Sequence, residues 1–177
     1  MADPILKKGS ATVTVACSTA GAKILYQLGT ATEQEYSNAV SLLENTLFKA
    51  RATKAGMTDS DTAEQQINIQ LPDLEESTTE GTDSVTIKIT NARSAYYGEA
   101  LNKLYTGSVF KYTTDGTDPD ADTSEDMPLT DSVVPTVTVT KNCTVKIRAF
   151  ATNNVASEIV TVEVSSLKVA TPTISVA

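Results

Sequence analysis

The sequence predicts an all-β chain of two tandem β-sandwich domains. Three observations lead there: β-branched residues alternate at period two, turn formers separate the alternating runs, and one half of the chain repeats the other. Thr12 to Cys17 puts Val13, Val15 and Cys17 on one face. Ser84 to Ile89 does the same with Val85, Ile87 and Ile89, and Thr136 to Thr140 sets Val137 and Val139 between threonines. From Ile159 to Val164, Val160, Val162 and Val164 are expected inward, with Thr161 and Glu163 outward. Alternation of this kind marks half-buried strands, because successive side chains leave a strand on opposite faces. Between the runs stand Gly29, Ala55-Gly56, Asp115-Gly116 and Asn153-Asn154, all suited to tight turns.

The repeat sets the domain organisation. Leu43-Glu44-Asn45-Thr46-Leu47-Phe48-Lys49-Ala50-Arg51-Ala52 lies without a gap over Thr140-Lys141-Asn142-Cys143-Thr144-Val145-Lys146-Ile147-Arg148-Ala149, sharing Asn, Lys, Arg and Ala at fixed offsets. Upstream, Tyr26 of Lys23–Gly29 answers Tyr112 of Val109–Gly116. The first domain is expected at 1–71 and the second at 85–177. Residues 72–84 hold Asp73, Glu75, Glu76, Glu80 and Asp83 with no basic residue, and read as an acidic linker extended by self-repulsion. Two segments break the symmetry. An insertion at about 91–107 places Tyr97, Leu101, Leu104 and Tyr105 near helical spacing, which predicts a short helix. The tail 167–177 reads as an additional C-terminal strand, with Pro172 suited to an edge.

Composition narrows the function. In 177 residues there are 14 Lys and Arg against 22 Asp and Glu, a formal charge of −8, and the basic residues are scattered, so nucleic acid is not an expected partner. The chain has no His, which excludes a Ser-His-Asp triad, a His metal ligand and a His proton shuttle. No run of about 18 apolar residues occurs, so no spanning helix and no membrane partner are expected. The start, Met1 to Lys8, lacks the apolar stretch of a signal peptide, which predicts synthesis in the cytoplasm. Cys17 and Cys143 are expected as free thiols, small strand residues pointing into cores.

The run Tyr112-Thr113-Thr114-Asp115-Gly116-Thr117-Asp118-Pro119, followed by Asn142-Cys143-Thr144-Val145-Lys146-Ile147-Arg148-Ala149-Phe150-Ala151, resembles the Ig-like module at the C-terminus of chitobiases and β-hexosaminidases. That module also recurs in bacterial surface and phage proteins. Tyr36 to Leu42 resembles its middle strand, although Gln27-Leu28-Gly29 has lost the Thr-Asp of the turn motif, and Val169 to Ile174 resembles its opening strand. The resemblance implies two tandem Ig-like β-sandwich domains and no activity, since the motif residues make turns and core faces. Asp115-Gly116 can form the turn, while Lys146 and Arg148 alternate with Val145, Ile147 and Ala149 so that charges face solvent.

Site candidates are few. Asp118, Asp120, Asp122, Ser124 and Asp126 recur at every second position and are weak calcium candidates. A calcium hand needs glycine at its sixth position and glutamate at its twelfth, where this stretch has Thr123 and Leu129, so a solvated acidic loop is expected instead. Acids on such a loop lack the apolar surroundings that make a glycosidase acid. Tyr112 is expected as a core or corner residue. Candidates for protein contact are Tyr96, Tyr97 and Leu101 in the insertion, and Val169 and Ile174 in the tail, which could add a strand to a neighbouring sheet. Neither a cofactor nor enzymatic activity is expected.

A pair of Ig-like modules without export signal, anchor or catalytic residues fits a protein that is made in the host cytoplasm and becomes external on lysis. The expectation is a structural protein of a bacteriophage virion. An auxiliary or decoration protein on the capsid surface is preferred, with fibre or tail attachment as the nearest variant. Its partners would be the major capsid protein or other virion proteins. The alternative is an adhesion module binding surface polysaccharide.

Overall fold

The computed structural model describes residues 3–92, 107–130 and 134–173. The chain divides into two compact units, Met1–Pro72 with Ala151–Ala156, and Asp73–Phe150 with Ser157–Ala177. Among the described residues there is no helix, and each unit is an Ig-like β-sandwich.

Unit 1 contains β1 (Ile5–Lys8), β2 (Ala11–Val13), β3 (Lys23–Leu28), β4 (Gln34–Glu35), β5 (Val40–Leu42), β6 (Thr46–Thr53) and β7 (Ala63–Gln70). One sheet has the order β1-β7-β6-β3-β4 and the other is the pair β2-β5. β1 runs parallel to β7, and the other pairs are antiparallel. Residues 151–156 complete this unit. The Val155 N–H donates to Ile69 O and the Leu71 N–H to Val155 O, both at 2.8 Å, and Asn154 Nδ2 donates to Leu43 O at 2.8 Å. Ile69 and Leu71 are fully buried there.

Unit 2 contains β8 (Glu76–Glu80), β9 (Val85–Ile89), β10 (Val109–Thr113), β11 (Glu125–Asp126), β12 (Leu129–Thr130), β13 (Val134–Val139), β14 (Cys143–Phe150) and β15 (Val160–Val164). Its sheets have the orders β12-β13-β9-β8 and β11-β10-β14-β15. The expected faces are present: Val85, Ile87 and Ile89 are buried, as are Val137 and Val139, and Val145, Ile147 and Ala149 have no exposed surface. Burying one such Val or Ile is worth about 1.5–3 kcal/mol. A surface pair such as Lys146–Asp118 belongs to a class worth about 0–1 kcal/mol, so the apolar face of β14 sets its orientation.

The duplication holds strand by strand. Tyr26 opposes Ala50 in unit 1 and Tyr112 opposes Ile147 in unit 2. Thr46 opposes Ile67, and Cys143 opposes Val164. Ala11 opposes Leu42, and Val85 opposes Val139. From β5 onward the second copy follows the first by 97 residues, as Leu42 to Val139, Thr46 to Cys143 and Ile67 to Val164 each show.

The copies differ in three ways. β12, at the edge beside β13, has no counterpart beside β5 in unit 1. The leading strand of unit 1 joins the β7 sheet, whereas that of unit 2, β8, joins β9 in the other sheet. The β2-β5 sheet is also short, at three residues per strand. Phe48 of β6 is buried but its neighbours on that strand are only half-buried, and a depression of about 160 Å³ opens beside Val15, Ile24, Ala50 and Ala52.

Three expectations change here, and a fourth falls on residues that the structure does not describe. Residues 76–80 of the supposed acidic linker are β8, antiparallel to β9 with Glu76 opposite Ile89 and Glu80 opposite Val85, and Leu74 is buried. Cys17 is exposed, because β2 ends at Val13, where its pairing with β5 stops; Cys143 is half-buried in β14. The helical insertion at 91–107 lies, apart from its ends, outside the described residues. Residues 165–173 form no strand, and 174–177, the remainder of the expected C-terminal strand, also lie outside them.

Candidate functional site

Among the described residues of unit 2, acidic side chains cluster in the loop between β10 and β11. Gly116 turns it with φ near +80°, a conformation that glycine adopts without strain. The Asp115 carboxylate accepts from Thr117 N at 3.0 Å and from Thr117 Oγ1 at 2.6 Å, and this bonding, chiefly from the hydroxyl, lowers its pKa. Asp120 accepts from the N–H groups of Asp122 at 2.9 Å and Thr123 at 3.2 Å, and these backbone bonds lower its pKa. Asp118 pairs with Lys146 at 2.6 Å, and Asp126 pairs with Lys111 at 2.9 Å. Of the carboxylates that the two-residue spacing offered to calcium, those of Asp118, Asp120 and Asp126 are thus engaged with lysines and turn amides. Among the described residues no group of three or more acids or thiols is placed to hold a metal.

Tyr112 stands at the root of this loop, half-buried on β10, and its hydroxyl donates to Glu125 Oε2 at 2.7 Å. That bond, with partial burial, raises its pKa. Tyr26 repeats the contact in unit 1, donating to Gln34 Oε1 at 3.1 Å, while its ring stacks on Phe48 at 5.6 Å. Tyrosine at this place holds the short edge strand to its neighbour in both copies.

Unit 1 carries one cluster that the sequence pattern left invisible. Arg51 on β6 donates from Nε to Glu33 Oε1 at 2.7 Å and from a terminal nitrogen to Glu33 Oε2 at 2.6 Å, and also pairs with Asp59. Arg51 lowers the Glu33 pKa through this hydrogen bonding, and its own is raised. The partners lie 18 and 8 residues away, so no local spacing reveals them. Its counterpart Arg148 instead donates to Ser157 O at 2.8 Å and lies 5.6 Å from the centre of the Phe150 ring. Glu33, Asp115 and Asp120 all shift downward, so each is a carboxylate at neutral pH and none is tuned as a general acid.

Of the protein-contact candidates, Val169 is 99% exposed. Tyr96, Tyr97, Leu101 and Ile174 lie outside the described residues.

The class defined by these features is a tandem pair of Ig-like β-sandwich modules. No family model and no curated protein matches the chain. Among solved structures it is similar to the chicken interferon gamma receptor alpha chain, with a TM-score of 0.43 and 7% identity over 90% of this chain and 95% of that one. Two chains of cytokine receptor complexes are also similar. One has a TM-score of 0.35 and 13% identity, covering 88% of this chain and 91% of that one. The other has 0.33 and 12%, covering 89% and 97%. The fold assignment rests on the strand order and register described above.

Proposed function

We propose that this chain is a structural protein of a bacteriophage virion, an auxiliary or decoration protein bound to the capsid surface or to a fibre or tail. The observation that carries the reading is the repetition of one sandwich in one register, with the clustered acids Glu33, Asp115, Asp118, Asp120 and Asp126 committed to loop and strand contacts. Asp115 and Asp120 cap turns, and Asp118, Asp126 and Glu33 hold basic residues. Such a chain supplies surfaces and spacing in place of chemistry. A formal charge of −8 keeps projecting modules apart and soluble. The described aromatic rings also favour this reading over polysaccharide adhesion, because Tyr26, Phe48 and Tyr112 serve packing and strand pairing.

Quantitative mass spectrometry of purified particles, from a phage whose genome encodes the chain, tests the proposal. The expected result is the intact polypeptide at a fixed ratio to the major capsid protein. Its absence from particles, with abundance in the infected-cell lysate, would remove the virion reading.

A further inference from the structure

One sheet edge that is covered in unit 2 is uncovered in unit 1 among the described residues, and unit 2 shows the chemistry of its cover. In unit 2, β8 lines the outer edge of β9 in antiparallel register, with Glu76 opposite Ile89 and Glu80 opposite Val85. The counterpart of β9 in unit 1 is β2, since Ala11 faces Leu42 and Val13 faces Val40 as Val85 faces Val139 and Ile87 faces Val137. Beyond β2, on the side away from β5, no strand is present among the described residues. At the same offset, Val15, Ala16 and Cys17 correspond to Ile89, Thr90 and Asn91. An edge of this kind is what an extended segment pairs with when it adds to a sheet.

An apolar anchor precedes β8. Leu74 is buried and flanked by three bonds to the end of β9: Asn91 Nδ2 donates to Asp73 O at 2.8 Å, Glu75 N to Asn91 Oδ1 at 3.1 Å, and Thr90 N to Glu75 O at 2.7 Å. In unit 1 the matching place is hollow. The depression of about 160 Å³ is lined there by Val15, Ala16, Cys17, Ile24, Ala50 and Ala52. At the corresponding register positions unit 2 has larger side chains, Ile89 for Val15, Phe110 for Ile24 and Ile147 for Ala50, all buried. An aliphatic-lined cavity of about 150 Å³ accepts a benzene-sized group, so this depression takes a leucine side chain.

The cover is also acidic, with Asp73, Glu75, Glu76 and Glu80. Unit 1 places lysines at both ends of the uncovered edge. Lys54 lines a small depression together with Cys17, and the exposed Lys7 and Lys8 lie just before Gly9 and Ser10, which lead into Ala11. In the register of β8, acids equivalent to Asp73 and Glu75 fall beside Cys17, and one equivalent to Glu80 falls opposite Ala11. Against these lysines stands one acid on the rim of the larger depression, Asp61. Unit 1 as a whole has six basic and seven acidic residues, against eight and fifteen in unit 2, so it repels an acidic strand far less.

We infer that the edge of β2 is a docking site for an extended acidic segment of another protein, one that carries a leucine ahead of its paired residues. The segment runs antiparallel to β2, with the leucine two residues before the one opposite Val15, and seats that side chain in the depression beside Ala50. Main-chain pairing supplies the affinity, while the depression and the lysines supply the selectivity. The inference is independent of where the protein works.

NMR titration of the isotope-labelled full chain with a synthetic peptide of residues 72–81, capped at both ends, is the test. The amide signals of Thr12–Cys17, Ala50 and Ala52 should shift saturably, and binding should weaken about tenfold or more when the peptide carries Leu74→Ser. In the protein, Ala50→Ile supplies the residue that unit 2 has at this position, and should weaken binding to a similar degree without lowering the melting temperature. Added salt should weaken binding as well. The absence of any shift at Thr12–Cys17 up to on the order of 1 mM peptide overturns the inference. So do shifts confined to Val85–Ile89, where the peptide would merely displace β8, and binding indifferent to both Leu74→Ser and Ala50→Ile. Concentration-dependent shifts of the same amides in the chain alone would give the edge to a second copy and remove the separate partner.

Discussion

Ser157 Oγ accepts a hydrogen bond from Ala149 N at 3.0 Å while the Ser157 N–H donates to Ala149 O at 3.0 Å, so one fully buried serine closes both backbone groups of a single residue on β14. Ser60 and Ala52 repeat this clasp in unit 1 at 2.8 and 2.9 Å, but with the serine exposed. Ser157→Ala leaves a buried N–H without its acceptor, an omission that costs about 1–3 kcal/mol. Ser60→Ala should cost less, since water can replace the hydroxyl. Urea unfolding of the two variants checks the order, and equal midpoints would show that burial does not set the strength of the clasp.

The bond from Tyr112 to Glu125 predicts an alkaline signature. The folded pKa of Tyr112 is raised, so the neutral phenol is held more tightly in the fold than in the unfolded chain. Its stabilising contribution is complete below the unfolded value of about 10 and is lost as pH rises through the raised folded value. Tyr112→Phe should therefore flatten the alkaline decline of the unfolding midpoint, and unchanged decline would contradict the assignment.

Asp115 and Asp120 predict the opposite limb. Their folded pKa values are depressed, so their contribution is present above about 3.9 and is lost as pH falls through the depressed values. Asp120→Ala should lower stability at neutral pH and shallow the acid decline. Because Lys146 and Lys111 hold the flanking Asp118 and Asp126, calcium should leave the melting temperature unchanged. A calcium-dependent rise that vanishes in Asp120→Ala would overturn this view of the loop.

Strands with one dry face were legible in the sequence, and those without one were not. Val85, Ile87 and Ile89 announce β9 because their common face is buried. β8 has every residue exposed, so its Glu, Ser and Thr read as an acidic linker although its backbone is fully paired to β9. The only apolar hint, Leu74, precedes it. Cys17 misled for the complementary reason: alternation continues past Val13, but β5 offers no further residues to pair with. The repeat exposed the lysine and arginine positions of β6 and β14, whereas the Arg51 partners come from two loops and had no local signature. Limited proteolysis with a Glu-specific protease tests the revised linker. Cleavage after Glu76 and Glu80 should be slow in the native chain, and rapid scission into two halves would restore the linker.

The claim that this chain exists to be mounted on a larger particle is tested most directly by reconstitution. Particles assembled without the chain should bind the purified protein on co-sedimentation, saturably and at a stoichiometry fixed relative to the major capsid protein. Protein that remains in the supernatant at every ratio would contradict the account.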